Sequence, residues 1–458
     1  MIRIATLFAA LMLFSMGGVQ AQQQHQLTLD EAIEIALENN TWLKQAENAI
    51  EQSEVSLRGD RANYLPNLNL STSGNRTVGR QFDQVAGEVD DVGSTGTSAS
   101  LNANYDIFTG FDRINSIRSS RTALDATRDD YERTKETLIF NTASTYLDVL
   151  LEKELVEVNR ENLETSRRQL EQVEAQVEVG TAPSVDLYEQ RSTVANAELD
   201  LIRRENSLEM AKTQLIGYLQ IDPFVDYELV EPEIIEEELI PQDYDLRQLI
   251  EEAMDSRRDL MAARKDIEQS NYDLNSARSG RYPTVSLNAS LSSNYSDRVR
   301  MPGAQGETIP FSDQFFDQNI QRRVGLSISI PIFNRFQTSN QIEQAKIQRR
   351  NAQLELEDLQ YEVIQEVRQA YNDYQGYAKE LEASQAAKEA AELAFQTQQE
   401  RYEVGSATLL ELTEAQSSFV EAQSNWINAQ YQFIFQEKIL DYYLGRISEE
   451  PELSAMDD

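Results

Sequence analysis

The sequence predicts an internally duplicated protein of mixed α and β structure, with four amphipathic strands and a set of very long helices. Three observations carry that prediction. Residue patterns recur at a fixed offset along the chain, four segments alternate apolar and polar side chains with period two, and two runs of about 70 residues hold a seven-residue apolar repeat without an interrupting proline.

The duplication is read from paired landmarks. Ile50-Glu51-Gln52-Ser53 recurs as Ile267-Glu268-Gln269-Ser270, and at the same offset of 217 Leu29 matches Leu246, Leu43 matches Leu260 and Pro66 matches Pro283. Farther on the offset becomes 225: Phe108 matches Phe333, Tyr146 matches Tyr371, and Glu178-Val179-Gly180 matches Glu403-Val404-Gly405. Eight extra residues therefore lie between Pro283 and Phe333, as expected of a loop free to vary in length. Each repeat has one order: amphipathic helix, proline, two strands, a very long helix, a glycine turn and a return helix.

The strands come next. Ala99, Leu101, Ala103, Tyr105 and Ile107 alternate with Ser98, Ser100, Asn102, Asn104 and Asp106. Val285, Leu287, Ala289, Leu291 and Tyr295 alternate with Ser and Asn, and Val324, Leu326, Ile328, Ile330 and Ile332 with Arg323, Gly325, Ser327 and Ser329. The first strand is weaker, with Leu68 and Leu70 against Asn67, Asn69 and Ser71. Half-buried sheets in soluble proteins share this pattern. Here the polar face is rich in Ser, Asn and Thr, which suits a wet lumen, and no spare apolar segment remains to cover the other face. Strands of about 9–11 residues with aromatic ends (Tyr105, Phe108, Tyr295, Phe333) fit a membrane barrel. Four strands cannot close, because small barrels need about eight. Lipid-exposed edges would leave backbone groups unpaired, so several copies must share one barrel.

Residues 111–179 contain neither proline nor glycine, and 334–404 contain no proline. At 1.5 Å per residue such a run reaches roughly 105 Å. Val149, Val156, Leu163, Leu170 and Val177 lie seven apart, as do Leu187, Val194, Leu201, Leu208 and Leu215, and Leu412, Phe419, Trp426, Phe433 and Leu440. Sustained heptads signal supercoiled packing. The return helices, near 184–219 and 408–445, are half as long as those they follow, and leading helices near 28–62 and 245–280 supply the missing length. The expected divisions are a first repeat over 22–219, an acidic linker over 220–244 with Pro223, Pro232, Pro241 and Glu236-Glu237-Glu238, a second repeat over 245–445, and an acidic tail over 446–458. The linker is expected to pack on the outside of the shaft, and its carboxylates lack the spacing of a known calcium loop.

Residues 1–21 have the form of a secretory signal peptide: Arg3, an apolar stretch from Ile4 to Met16, and Val19-Gln20-Ala21 at the cleavage position. No other segment is apolar enough for a membrane helix. The net charge of −37 disfavours nucleic acid as a partner. With no cysteine, a single histidine (His25, expected in a mobile tail) and no Gly-rich phosphate loop, neither a metal, a cofactor nor an enzymatic activity is expected.

With its duplication, two strand pairs and tip turns Val179-Gly180-Thr181-Ala182-Pro183 and Arg401-Tyr402-Glu403-Val404-Gly405-Ser406-Ala407, the mature chain resembles the TolC family of outer-membrane efflux proteins. The resemblance implies a homotrimer: a twelve-stranded outer-membrane β-barrel in lipid, four strands per chain, continued by a long periplasmic α-helical coiled-coil tunnel. It implies a passive exit duct of a tripartite efflux pump or type I secretion system, docked on a periplasmic adaptor (membrane fusion) protein and an inner-membrane transporter.

The resemblance also implies a constriction near the turns. Its acidic ring maps to Glu411 and Glu414, six and nine beyond Gly405, with raised pKa values expected where carboxylates from several copies crowd together. Its gating tyrosine maps to Tyr402 and that residue's hydrogen-bond partner to Asp186. The family's gating arginine and threonine fall at Ala407 and Val185, so the same closing network is not expected. Gly180 and Gly405 are expected to take positive φ in the helix-to-helix turns. A soluble periplasmic coiled-coil adaptor is the alternative reading, but the duplicated strand pairs have no place in one. A secreted glycosidase built on paired carboxylates would need a cleft that a coiled coil does not offer.

Overall fold

The computed structural model describes residues 25–83, 88–225, 227–230, 240–300 and 308–447. The leader 1–21, residues 226 and 231–239 of the acidic linker, including Glu236-Glu237-Glu238, and the tail from 448 lie outside the described residues. The chain forms two compact units: one drawn from the stretch up to Ala46, Tyr131–Arg258 and the chain from Gln360, the other from Glu47–Asp130 and Asp259–Leu359. Among the described residues no helix is long and apolar enough to cross a membrane.

The helices of the two repeats correspond one to one, and each repeat carries one pair of long strands. The first repeat contains β1 (His25–Leu27), α1 (Leu29–Asn39), α2 (Thr41–Ala62), β2 (Asn67–Asp83), β3 (Glu88–Thr109), α3 (Asp112–Glu178) and α4 (Ser184–Leu219). After β4 (Tyr227–Leu229) the second contains α5 (Leu246–Ser256), α6 (Arg258–Ser279), β5 (Thr284–Ser296), β6 (Gln321–Ser329), α7 (Gln337–Glu403) and α8 (Leu409–Leu444). The long helices α3 and α7 are both 67 residues and the return helices α4 and α8 both 36, at the expected offset. Helix α7 runs through Gly376 without interruption.

The heptad positions face inward: Val149, Val156, Leu163, Leu215, Leu412, Phe433 and Leu440 are buried, and Leu170, Val177, Val194 and Trp426 are half-buried. Around Val149 and Leu150 a core gathers Leu29, Ile33 and Ala36 of α1 with Leu215 and Leu219 of α4. Each fully buried leucine there is worth roughly 1.5–3 kcal/mol of transfer free energy.

Each leading helix, expected to be continuous, is broken at one residue. Asn40 (φ −61, ψ 125) separates α1 from α2, and Arg257 (φ −63, ψ 127) separates α5 from α6, at equivalent positions of the two repeats. Tertiary contacts hold the breaks. Asn40 Oδ1 accepts from the Trp42 backbone N–H at 2.8 Å, and its amide donates to the Tyr218 carbonyl at 3.3 Å. The buried Arg257 guanidinium donates to Glu366 at 2.5 Å. Opposite each break the return helix ends in a left-handed residue, Gln220 (φ 53) and Gly445 (φ 69). A Cβ on Gly445 would approach Arg257 Cα at 3.4 Å.

His25 is not in a free tail. Its backbone pairs with Tyr227 in a two-stranded parallel sheet of β1 and β4, so the start of the linker is tied to the start of the first repeat. Tyr146, fully buried on α3, places its hydroxyl 2.8 Å from the Leu27 carbonyl oxygen and 2.6 Å from the Val230 carbonyl oxygen, its one proton shared between the two acceptors. Two strand ends are thereby fastened to one helix.

Candidate functional site

The four long strands form one antiparallel sheet in the order β2-β3-β5-β6. Residues opposite one another share a face. Leu70 lies against Leu101 and Leu101 against Leu291, while Ala103, Ala289 and Val324 form a second row and Leu287 and Leu326 continue it. This apolar face is open: Leu70, Val324 and Ile328 are 70%, 75% and 62% exposed. The opposite face is polar and internally bonded, with Ser71–Ser100 at 2.7 Å, Ser73–Ser98 at 2.9 Å and Ser286 donating to Asp106 at 2.7 Å. Within the four-stranded sheet, β2 and β6 are edges with no further strand beside them among the described residues.

Three details depart from the alternation. Strands β2 and β3, at 17 and 22 residues, run well past the expected 9–11. Ile107 is the extra residue of a bulge between Asp106 and Phe108, which puts Phe108 rather than Ile107 opposite Val285. Strand β6 stops at Ser329, because Pro331 has no N–H to give the ladder, so Ile330 and Ile332 lie beyond it.

Aromatic clusters bound the apolar face at both ends. At the helix end Phe111 meets Phe108 at 5.2 Å and Tyr282 at 5.8 Å edge-on, Phe333 meets Phe336 at 5.5 Å, and the Arg113 guanidinium lies 5.3 Å from the Tyr64 ring. At the far end Tyr295, Phe311, Phe315 and Phe316 form a second cluster. From Val285 to Tyr295 along β5 is about 33 Å at ~3.3 Å per residue, or about 25 Å of height at a tilt near 40°. That is the apolar thickness of an outer-membrane barrel, flanked as such barrels are by aromatic girdles.

The helix turns are the second site. Gly180 (φ 80) and Gly405 (φ 74) take the left-handed conformation, and a Cβ at either would touch nothing within 4 Å, so backbone conformation alone selects glycine. At the second turn Thr408 caps α8: its hydroxyl accepts from the Glu411 N–H at 3.2 Å, and Glu411 returns its carboxylate to the Thr408 N–H at 2.8 Å. The bonds from Thr408 lower the Glu411 pKa, with a smaller contribution from the nearby Arg401. Within one chain this shift is opposite to the rise expected of a crowded ring, because the cap stabilises the charged form. Glu414 is exposed one turn along.

Tyr402 Oη donates to Gln176 Oε1 at 3.3 Å, across from α7 to α3. Burial and then the Asp186 carboxylate raise the Tyr402 pKa, so Asp186 lies within electrostatic reach, while the hydrogen bond described here goes to Gln176. Val185 is exposed and Ala407 half-buried. Sequence reasoning missed three participants. Thr408 was legible as the first residue of a T-x-x-E capping box, whereas Gln176 and Arg401 carry no such signal. Deeper in, Gln416 donates to Asn162 at 2.7 Å and Gln190 to the Ser166 carbonyl at 3.0 Å, a polar seam joining α3 to both return helices.

An amphipathic sheet with two unpaired edges, girdled at membrane thickness and continuous with duplicated coiled-coil helices, defines the class of subunits that build outer-membrane ducts. Residues 32–219 and 249–446 match the outer membrane efflux protein family, and the chain belongs to it. It is similar to outer membrane protein TolC of Escherichia coli strain K12, 24% identical over 393 residues covering 85% of this chain and 76% of that protein. It is likewise similar to outer membrane efflux protein BepC of Brucella suis, 24% identical over 445 residues covering 96% and 90%. The crystal structure of the outer membrane protein VceC from Vibrio cholerae shares the fold, with a TM-score of 0.76 at 19% identity over 91% of this chain and 96% of that one. The chain is thus an efflux channel component of the outer membrane with a large periplasmic helical portion, and the adaptor reading is set aside. Its family is one of passive channels.

Proposed function

We propose that three copies of this chain share one twelve-stranded barrel, β6 of each pairing with β2 of the next, so that the polar sheet face lines a water-filled exit and the apolar face meets lipid. The observation that supports this most is the four-stranded sheet with an exposed apolar face and two edges without a partner strand. Such edges cannot persist in hydrocarbon, and closure in threes leaves none. In this assembly the duct receives its substrate from an inner-membrane transporter through a periplasmic adaptor and conducts it outward passively.

The turns at Gly180 and Gly405 would then carry the narrowest part of the path, with Tyr402, Asp186, Glu411 and Glu414 around it. Threefold symmetry brings six carboxylates from Glu411 and Glu414 together, a ring that attracts cations. The Thr408 cap favours a charged Glu411 in each chain, opposing the rise that crowding imposes. Replacing Glu411 and Glu414 by alanine is expected to lower cation selectivity and block by multivalent cations in planar bilayers. Unchanged selectivity and block would count against the ring.

A further inference from the structure

The connection between β5 and β6 carries a feature of its own. Between β5 and β6 the chain forms a short helical turn, Phe311–Asp313 continuing as Gln314–Gln318. Ser293 donates to the Phe315 carbonyl at 2.5 Å, and Ser293 is on the same face of β5 as Leu291 and Tyr295, so the turn folds onto the apolar side of the sheet. Gln314 holds it in place: fully buried, it accepts from the Ser296 N–H at 3.1 Å and donates to the Ser296 and Ile309 carbonyls at 3.0 and 2.8 Å. Asn319 adds a bond to the Asn294 carbonyl at 2.7 Å.

Between turn and sheet lies an apolar groove of about 290 Å³, floored by Leu70, Leu101 and Leu291 and walled by Phe315, Phe316 and Ile320. Its wall is wet in the isolated chain, with Phe316 68% and Ile320 39% exposed. At its edge stands a cation. Arg322 is directly opposite Leu291 in the β5–β6 ladder, so it shares the groove's face, and no ion pair engages it among the described residues. On β5 and β6 the groove lies in the half of the sheet away from α6 and α7: Leu291 is seven residues beyond Thr284 and Arg322 is the second residue of β6, so in a chain whose helices are periplasmic it belongs to the outer-leaflet half of the band.

We propose that this groove is a lipid site: it takes an acyl chain of an outer-leaflet lipid whose phosphate pairs with Arg322. Packing of the acyl chain against the aromatic wall holds it in the groove, and the guanidinium selects an anionic headgroup. Of the lipids in a Gram-negative outer membrane, lipid A meets both requirements at this leaflet, being multiply acylated and phosphorylated. The proposal rests on the apolar sheet face being the lipid-facing one.

The test is native mass spectrometry of the detergent-purified assembly incubated with lipid A, with phosphatidylethanolamine and with inorganic phosphate. Lipid A should survive detergent exchange. Arg322→Ala should weaken its retention about fivefold, the equivalent of about 1 kcal/mol for one arginine near an anionic surface, and Arg322→Lys should restore most of it. Phe316→Ser, an exposed position that should leave folding intact, should also weaken it. Equal retention by wild type, R322A and F316S overturns the proposal. So does equal retention of phosphatidylethanolamine, which marks only annular lipid, or displacement by inorganic phosphate, which marks a bare anion site. If R322A fails to assemble, F316S and the lipid comparison decide. Failure of lipid binding in a protein that still fractionates with the outer membrane sinks this site alone, whereas loss of the membrane fraction would sink the barrel reading beneath it.

Discussion

The corner where each second strand enters its long helix offers a quantitative test of the fold. Two consecutive residues there take positive φ in both repeats: Gly110 (φ 66) and Phe111 (φ 75) in the first, Arg335 (φ 55) and Phe336 (φ 62) in the second. The offset of 225 makes these pairs equivalent: both repeats strain a phenylalanine, and at the position before it one has glycine and the other a strained arginine. Left-handed backbone costs an L-residue about 1–2 kcal/mol. At Gly110 there is also no room, since a Cβ would lie 2.5 Å from the Ser279 carbonyl oxygen and 2.9 Å from Tyr282 Cβ. Relieving such overlap adds about 1–3 kcal/mol, so Gly110→Ala should destabilise by about 2–5 kcal/mol. Gly180→Ala meets open space and should lose only the conformational 1–2 kcal/mol. Arg335→Gly removes strain but adds about 0.5–1 kcal/mol of unfolded-state entropy, leaving a net gain of up to about 1.5 kcal/mol. Urea unfolding of the detergent-solubilised protein, followed by tryptophan fluorescence, ranks the three. If G180A proves as costly as G110A, or R335G loses more than about 1 kcal/mol, the reasoning fails.

Other consequences follow from the same geometry. Val324 lies opposite Ala289 on the apolar face near mid-band, so Val324→Arg should cost about 2–4 kcal/mol, whereas Ser327→Arg on the polar face should be tolerated; heat-modified migration on gels reports both. Thr408→Ala should lose about 1 kcal/mol of capping energy and raise the Glu411 pKa, read as an upward shift in the pH midpoint of channel cation selectivity. Glu252 is held below its ordinary value of 4.5 by its hydrogen bonds from Arg446 at 2.6 and 2.7 Å. Its contribution is therefore full above the unfolded pKa and lost as pH falls through the lower folded one. Arg446→Gln should flatten that acid limb in a pH series of thermal midpoints.

Periodic features were legible because they depend on local sequence. The heptads and most of each strand face emerged with the residues expected, whereas Ile107 falls in a bulge and Ile330 and Ile332 lie beyond β6. What was hidden depends on distant partners. Helical periodicity continues across Asn40 and Arg257, and only the docking of Asn40 on Tyr218 and of Arg257 on Glu366 stops the helices there. The outer parts of β2 and β3 are rich in Gly, Ser, Thr and Asp and offer only a sparse apolar face, Val78, Phe82 and Val89, so their strand character rests on pairing with each other. Nothing local marks the three-residue strand that begins at His25, because its partner is 202 positions away at Tyr227. At the tips the resemblance supplied Tyr402 and Glu411, but the neighbours that bond to them, Gln176 and Thr408, emerged from the fold.

The central claim is that one chain holds too little sheet to make a membrane wall and that three complete it. Native mass determination of the protein extracted from outer membranes addresses this directly. The account requires a particle of three chains that withstands mild detergent; a membrane-extracted species that remains a single chain, with its β2 and β6 edges unprotected from amide exchange, would contradict it.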